Sequence, residues 1–447
     1  MKSPNWPLVR FVCSLVFASV IICAALAFCI YPAAVIVRTL QDDSLRETGY
    51  SESVTGWFRD VSGRQRDWAR KYLDTGRAGK VAAFEVAETE WPMFGSVFYL
   101  LTAEQLVSEG RLDPEDPVIA ETLVLSAEII ASPETATWVR KKWGADYLER
   151  ENLFYRMLLI MGLSSYESVT GDRQYHQLMA EQSESLAGEI MAARYHLVDD
   201  YPGECYPNDI LWAVAAIQRA GYLTGANYDG LVESLMATFN REPVLVQGLP
   251  AAQMNSRLGF ANQDPRGCAN SGILMLAAEL DIGIARQWYG QYEADFWKDN
   301  GWFAGFTELR RGSSEQLSDV DSGPVLLEFG SVASAFGIGV ANTLGRLDHS
   351  VPLTYEAIAC SWPTPFGFAV PQAMGWMAVD SRSLGEVALL FCMTRPAMVE
   401  SRASYEGDIP GIVWLMLAGY LSVGSLFLFM EVRGMRRAWR RHFGSGK

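Results

Sequence analysis

Residues 152–175 read NLFYRMLLIMGLSSYESVTGDRQY, and residues 201–222 read YPGECYPNDILWAVAAIQRAGY. In both, apolar residues return at helical spacing: Leu158, Met161, Leu163 and Tyr166 in the first, Ile210, Leu211, Val214 and Ile217 in the second. Both runs stop on the same punctuation. Thr170-Gly171-Asp172 is followed by Tyr175, and Thr224-Gly225 by Tyr228. A glycine just past a helix end takes the left-handed conformation that closes the last turn. Working outward, Phe94, Val97, Phe98 and Leu101 form a third such face before Ser108-Glu109-Gly110, and Leu344-Gly345 closes a later one. The glycine stops are 61, 54 and 120 residues apart, the last being two units of 60. A fixed period of this size predicts repeated helix hairpins.

Residues 45–408, 364 in all, hold about six such units. Alternating strand patterns are scarce there, so the predicted fold class is all-α. Six hairpins can close into an (α/α)6 toroid whose inner helices line a central cavity. The competing arrangement is an open α-solenoid. Two long, Gly-rich, aromatic connections, residues 240–265 and 297–324, favour closure, since long loops in a compact domain tend to be functional.

The ends of the chain read differently. Residues 11–37 carry no charge and exceed the roughly 20 residues needed to cross a bilayer. A cleaved signal peptide is the alternative, with Ala25-Leu26-Ala27 as its cleavage site. The apolar run continues past that site and is longer than a signal core of about 7–15 residues, which favours a retained anchor. A second uncharged run lies between Asp408 and Glu431. Arg433, Arg436, Arg437, Arg440, Arg441 and Lys447 follow it, a positive-inside signal that argues against a buried core helix. Residues 1–44 therefore read as a cytoplasmic N-terminus and first span. Residues 45–408 read as an extracytoplasmic domain, and 409–447 as a second span with a basic cytoplasmic tail.

Of the net charge of −15, the two flanks carry +1 and +5, which leaves −21 on the middle. A phosphate-backbone binder needs a basic footprint, so nucleic acid is excluded as a general partner. At 49% hydrophobic and 20% charged, the chain is not disordered. Four histidines and no C-x-x-C spacing speak against a metal centre, and no cofactor motif is present: there is no G-x-x-x-x-G-K-[ST], H-E-x-x-H or G-x-S-x-G. Cys205, Cys268, Cys360 and Cys392 fall in the outer domain, where an oxidising compartment would allow two disulfides in any of three pairings.

The quoted hairpins resemble those of (α/α)6-toroid enzymes, and in particular the linalool dehydratase/isomerase-like family. In that family a Gly-x-Cys-x-Pro-Asp-Asn-like loop opens a cavity-lining helix. The matching residues are Gly203, Cys205, Pro207, Asn208 and Asp209. The resemblance covers about a sixth of the chain and implies architecture. It departs where the family has a second cysteine, here Val214, and a histidine in the preceding hairpin, where residues 152–175 have none. The terpenoid chemistry is therefore not carried over. Asp-Val-Asp-Ser-Gly-Pro at 319–324 likewise resembles the loop-to-inner-helix junctions of carbohydrate-active toroids.

The densest polar cluster beside a helix start is Glu204, Cys205, Tyr206, Asn208 and Asp209. Pro207 suits the first turn, and Asp209 falls near the positive helix end. Asp209 or Glu204 is a candidate general acid or base. Helix capping is the plain alternative for Asn208 or Asp209. Cys205 has no adjacent histidine, so a structural or disulfide role suits it better than nucleophilic attack. Asp319 and Asp321 precede an apolar, small-residue helix predicted over 325–344. They are either its cap or the second half of a carboxylate pair such as glycosidases need. Glu90 and Trp91 open another helix and are candidates to line the cavity, Trp91 stacking on a sugar ring. Asp264, expected to pair locally with Arg266, is the last candidate.

The leading expectation is an envelope hydrolase or lyase acting on a glycan, with Asp209, Asp321 and Glu204 catalytic. The alternatives are a non-catalytic scaffold or assembly partner in the envelope, with a plugged cavity, and a dehydratase-like lyase on a small apolar alcohol.

Overall fold

The structure is a computed structural model that describes residues 6–49, 51–76, 86–149, 152–313, 322–373, 383–398 and 403–443. The chain is mostly helical. The first helix, α1 (Trp6–Ala25), passes through a π-turn (Leu26–Ile30) into α2 (Tyr31–Leu40). There follow α3 (Glu52–Asp74), α4 (Val86–Ser108), α5 (Pro117–Ala131), α6 (Thr137–Trp143), α7 (Leu153–Thr170), α8 (His176–Ala192), α9 (Pro207–Thr224) and α10 (Asp229–Phe239). Then come α11 (Gly267–Leu280), α12 (Ile282–Phe296), α13 (Ser331–Thr343), α14 (Leu347–Cys360), α15 (Leu384–Met393) and α16 (Gly411–Phe443).

Six helices are buried on nearly every side. In α7 every residue from Tyr155 to Glu167 is buried, in α9 every one from Ile210 to Ile217, and in α11 every one from Asn270 to Ala278. A helix apolar all round belongs in the middle of a fold. These central helices pack in order, α4 on α7, α7 on α9, α9 on α11, α11 on α13 and α13 on α15, and α15 packs back on α4. The others lie outside: α5 beside α4, α8 against α7 and α9, α12 on α11, α14 on α13, and α3 against α5 and α15. The glycine stops behave as the sequence requires, since Gly110, Gly171, Gly225 and Gly345 all have φ between 66° and 77°.

Between the central helices the space is filled by aromatic rings. Phe98 of α4 lies 5.1 Å from Phe391 of α15 and 6.1 Å from Phe336 of α13, centroid to centroid, and Trp212 of α9 sits 6.1–6.5 Å from Phe336 and Phe391. The Trp212 indole N–H is satisfied by the carbonyl of Gly272 at 3.1 Å. Toward the C-terminal ends of these helices the packing gives way to charge. Arg219 of α9 binds Glu279 of α11 at 3.0 Å and Glu104 of α4 at 2.8 Å, and Arg395, just after α15, also pairs with Glu279.

Connections into the central helices carry short antiparallel hairpins. These are β1 (Leu245–Val246) with β2 (Leu249–Pro250), β3 (Gln253–Asn255) with β4 (Phe260–Gln263), β5 (Trp297–Asp299) with β6 (Ala304–Phe306), β7 (Val325–Leu326) with β8 (Phe329–Gly330), and β9 (Pro363–Thr364) with β10 (Gly367–Phe368). The long loops expected at 240–265 and 297–324 are thus built in part from strands. The helix predicted over 325–344 is also corrected. Leu327 and Glu328 have φ of 50° and 76°, which turns the chain into the β7–β8 hairpin, and the helix begins only at Ser331 with Gly330 as its N-cap. Cys205, Cys268, Cys360 and Cys392, which an oxidising compartment would allow to pair, are all free thiols.

The terminal helices run antiparallel. Phe11 stacks on His442 at 4.6 Å and meets Phe443 edge-on at 5.6 Å, while Gly424 lies against Cys29 and Ile30. Ile36, Ile412, Val413 and Tyr420 join Leu347, Val351, Tyr355 and Ala359 of α14 in a second apolar cluster, which roots the pair in the domain. Beyond it Val16, Phe17, Val20, Leu426, Phe429 and Met430 are exposed. Both helices are long and apolar enough to cross a membrane.

Candidate active site

The turn before α9 decides the local geometry. Gly203, at φ 85°, lets residues 199–205 fold back so that Tyr201 and Glu204 bridge, with Asp200 N–H donating to Glu204 O at 2.8 Å and Gly203 N–H to Asp199 Oδ2 at 2.8 Å. This fold drives Asp200 inward until it has no solvent exposure. Its Oδ2 accepts from the Tyr206 N–H at 3.2 Å, and Asp209 lies close enough for its charge to act on the Asp200 carboxyl. Burial first, and the Asp209 charge second, raise the Asp200 pKa well above the carboxylate range. Two carboxyl groups this close disfavour the state in which both are ionised.

Asp209 lies in the first turn of α9, half-buried, and accepts from Asn208 Nδ2 at 2.8 Å. The N-cap is Tyr206, and no side chain caps this helix, so neither Asn208 nor Asp209 plays the capping role. Tyr201 donates its phenol proton to Glu90 Oε2 of α4 at 3.2 Å. Burial, followed by the charges of Glu90, Asp200 and Asp209, pushes that phenol well above its ordinary value. Tyr206 donates to the exposed Glu204 at 3.1 Å and accepts from Gln253 Nε2 at 3.3 Å. Its phenol is raised too, by burial and then by Glu204. The starts of α7 and α9 are joined where the Leu153 N–H meets the Asp199 carbonyl at 3.3 Å.

Through Tyr201, Glu90 of α4 is joined to the turn that carries Glu204, Tyr206, Asn208 and Asp209, and Trp91 is half-buried next to Glu90. Cys205 takes the structural place considered for it and does not face the polar cluster. It is fully buried in the apolar core, and its carbonyl accepts from Met254 N–H at 2.9 Å. Asp264 is exposed, and Arg266 pairs with Glu308 at 3.0 Å instead of with it. Glu308 is fully buried and also accepts from the Cys268 N–H at 3.1 Å. Asp319 and Asp321 lie outside the described residues. The N-cap of α13 is Gly330, and the Ser331 and Val332 N–H groups of its first turn donate to the carbonyls of Pro324 at 3.2 Å and Ser322 at 3.4 Å.

Asp200 and Tyr201 escaped the sequence reading. Their signal was two adjacent aspartates, Asp199 and Asp200, running into a Tyr-Pro-Gly turn ahead of an apolar helix. One further group of possible ligands, Glu293, Asp348 and His349, already has its cation. The Arg346 guanidinium reaches Glu293 and Asp348 at 2.7 Å each.

No protein-family model matches the chain, and no curated protein is similar to it.

Proposed function

We propose that this is a membrane-anchored envelope enzyme that cleaves a glycan by carboxyl acid/base chemistry at the start of α9. The observation that carries the reading is the Asp200–Asp209 pair, a fully buried acid whose pKa burial raises beside a second carboxyl group that reaches the surface of the site. Asp209 delivers the shared proton to the leaving oxygen, and Asp200 positions and replenishes it. Glu90, held by Tyr201, is the base that activates water or abstracts a sugar proton, a role that Glu204 or Asp321 fills if the scissile bond lies closer to them. Trp91 and the two tyrosines offer the apolar and polar faces that a sugar ring needs.

The proposed scaffold is an (α/α)6 toroid: α4, α7, α9, α11, α13 and α15 form its inner ring, and the order in which they pack supports it. Both termini are cytoplasmic and the domain is extracytoplasmic, a reading supported by the antiparallel pairing of α1 and α16 and by the arginines after Met430. The aromatic filling of the ring favours the rival scaffold reading, in which the domain only holds envelope partners.

The full-length protein in detergent or nanodiscs, incubated with a panel of envelope polysaccharides and peptidoglycan, separates the two by mass spectrometry of released fragments. The expected result is fragment release that falls about 10²–10⁴-fold in Asp209→Asn and in Glu90→Gln. Release unchanged in both variants, or no release from any substrate by the wild type, contradicts the assignment.

A further inference from the structure

We infer that the loop after α14, residues 361–370, is seated in the lipid, so that the domain lies against the membrane along its flank. The inference rests on the reading of α1 and α16 as membrane spans.

Three observations carry it. The first is position. Trp362 donates its indole N–H to the carbonyl of Phe28, within the π-turn of the first span, at 2.8 Å, and its ring lies 5.9 Å from Tyr420 of the second. The second is depth. Phe28 lies 17 residues from Phe11, about 26 Å along a helix, inside a hydrocarbon layer of about 30 Å even when the layer is counted from the far end of the uncharged run. Counted from the charged end of α16 the loop lies deeper. Gly424 packs on Cys29 and Ile30, and Glu431 stands only seven residues, about 10 Å, beyond it. Arg433, Arg436, Arg437, Arg440 and Arg441 follow and are all exposed, so the hydrocarbon ends near there. The level of Trp362 then falls within the bilayer.

The third observation is chemistry. Residues 357–371, AIACSWPTPFGFAVP, carry no charge. Phe366 is 63% exposed, Val370 43% and Trp362 41%, next to Tyr31 and Phe28 of the span, themselves exposed. This apolar patch is continuous with the surface of the two spans, and acyl chains are the occupant that covers both. Tryptophan and tyrosine at its edge suit the interface. Glu356, just below, accepts from the Ala304 N–H at 2.7 Å instead of facing outward as a bare charge.

The test places photoreactive p-benzoylphenylalanine singly at Phe366, Val370, Phe427 and Tyr222 of the full-length chain, in nanodiscs of phosphatidylcholine and phosphatidylglycerol. Lipid adducts are counted by mass spectrometry after irradiation. Phe427 lies on the exposed face of α16, and Tyr222 is exposed on α9, across the ring of central helices from α15. The expected adduct yield at Phe366 and Val370 is within about twofold of that at Phe427 and more than about tenfold above that at Tyr222. Strong labelling at Phe427 with background at both loop positions overturns the inference and leaves the spans intact. Background at Phe427 as well overturns the spans and the inference together. Two loop positions guard against one substitution that disturbs folding.

Discussion

Asp200 and Asp209 should respond in opposite ways to the same substitution. Burial raises the Asp200 pKa in the fold above its value in the unfolded chain, so this group lowers stability as pH rises from about 4. Asp200→Asn keeps a donor toward Asp209 and removes that penalty. Its melting temperature should exceed that of the wild type at about pH 8 and converge on it near about pH 4. A variant that loses stability equally at both values would mean that Asp200 is ionised in the fold. His349 has the opposite sign. Burial lowers its pKa to about 4, against the pull of Asp348, Glu293 and Asp299, with Tyr289 OH at 2.6 Å on its Nδ1, Trp297 stacked on its ring and Arg346 facing it. The unfolded chain binds the extra proton between about pH 6.5 and about pH 4, so acid weakens the fold across that window. In His349→Gln the fall in melting temperature over this interval should be smaller than in the wild type. At this scale the sequence is legible where polar residues cluster beside a helix start, which is what marks Asp209, Glu204 and Glu90 as candidates. Asp200 was hidden because its role depends on a turn that folds it inward, and no pattern of spacing carries that.

The elements were more legible than the residues. Helical periodicity and glycine stops specify α4, α7 and α9 because those signals are local, within one or two turns. The β7–β8 hairpin was missed for the converse reason. Val325, Leu326, Phe329 and Gly330 suit a helix by apolarity alone, and the left-handed residues that turn the chain there are leucine and glutamate, not glycine. Close approach between elements leaves a testable mark. A Cβ on Gly267, at the start of α11, would lie 2.1 Å from the Thr307 carbonyl oxygen, a backbone atom that cannot swing away. Gly267→Ala should therefore cost about 1–3 kcal/mol in denaturant unfolding, whereas Gly290→Ala on α12, where a Cβ meets nothing within 4 Å, should not destabilise the fold. Equal costs at the two sites would contradict the packing of α11 against residues 307–308.

For the whole molecule, composition located the two long apolar helices and periodicity proposed the hairpins, but the way the central helices meet is a long-range fact that local patterns do not encode. The proposed topology is tested by reporters: one active only in the cytoplasm should work when fused after Lys447 and stay silent when inserted near Gly225. The claim on which the site depends most is that the last central helix returns to the first. Glu90 stands on α4, the helix that α15 closes against, and an open array would leave that face to solvent. At the seam, a Cβ on Gly95 would sit 3.7 Å from the Cβ of Leu384, the separation a disulfide needs. Gly95→Cys with Leu384→Cys, oxidised in the full-length protein and digested without reduction, should give a single cross-linked peptide pair joining the two positions. Both cysteines recovered as free thiols, or paired only with native cysteines, would contradict the closed ring.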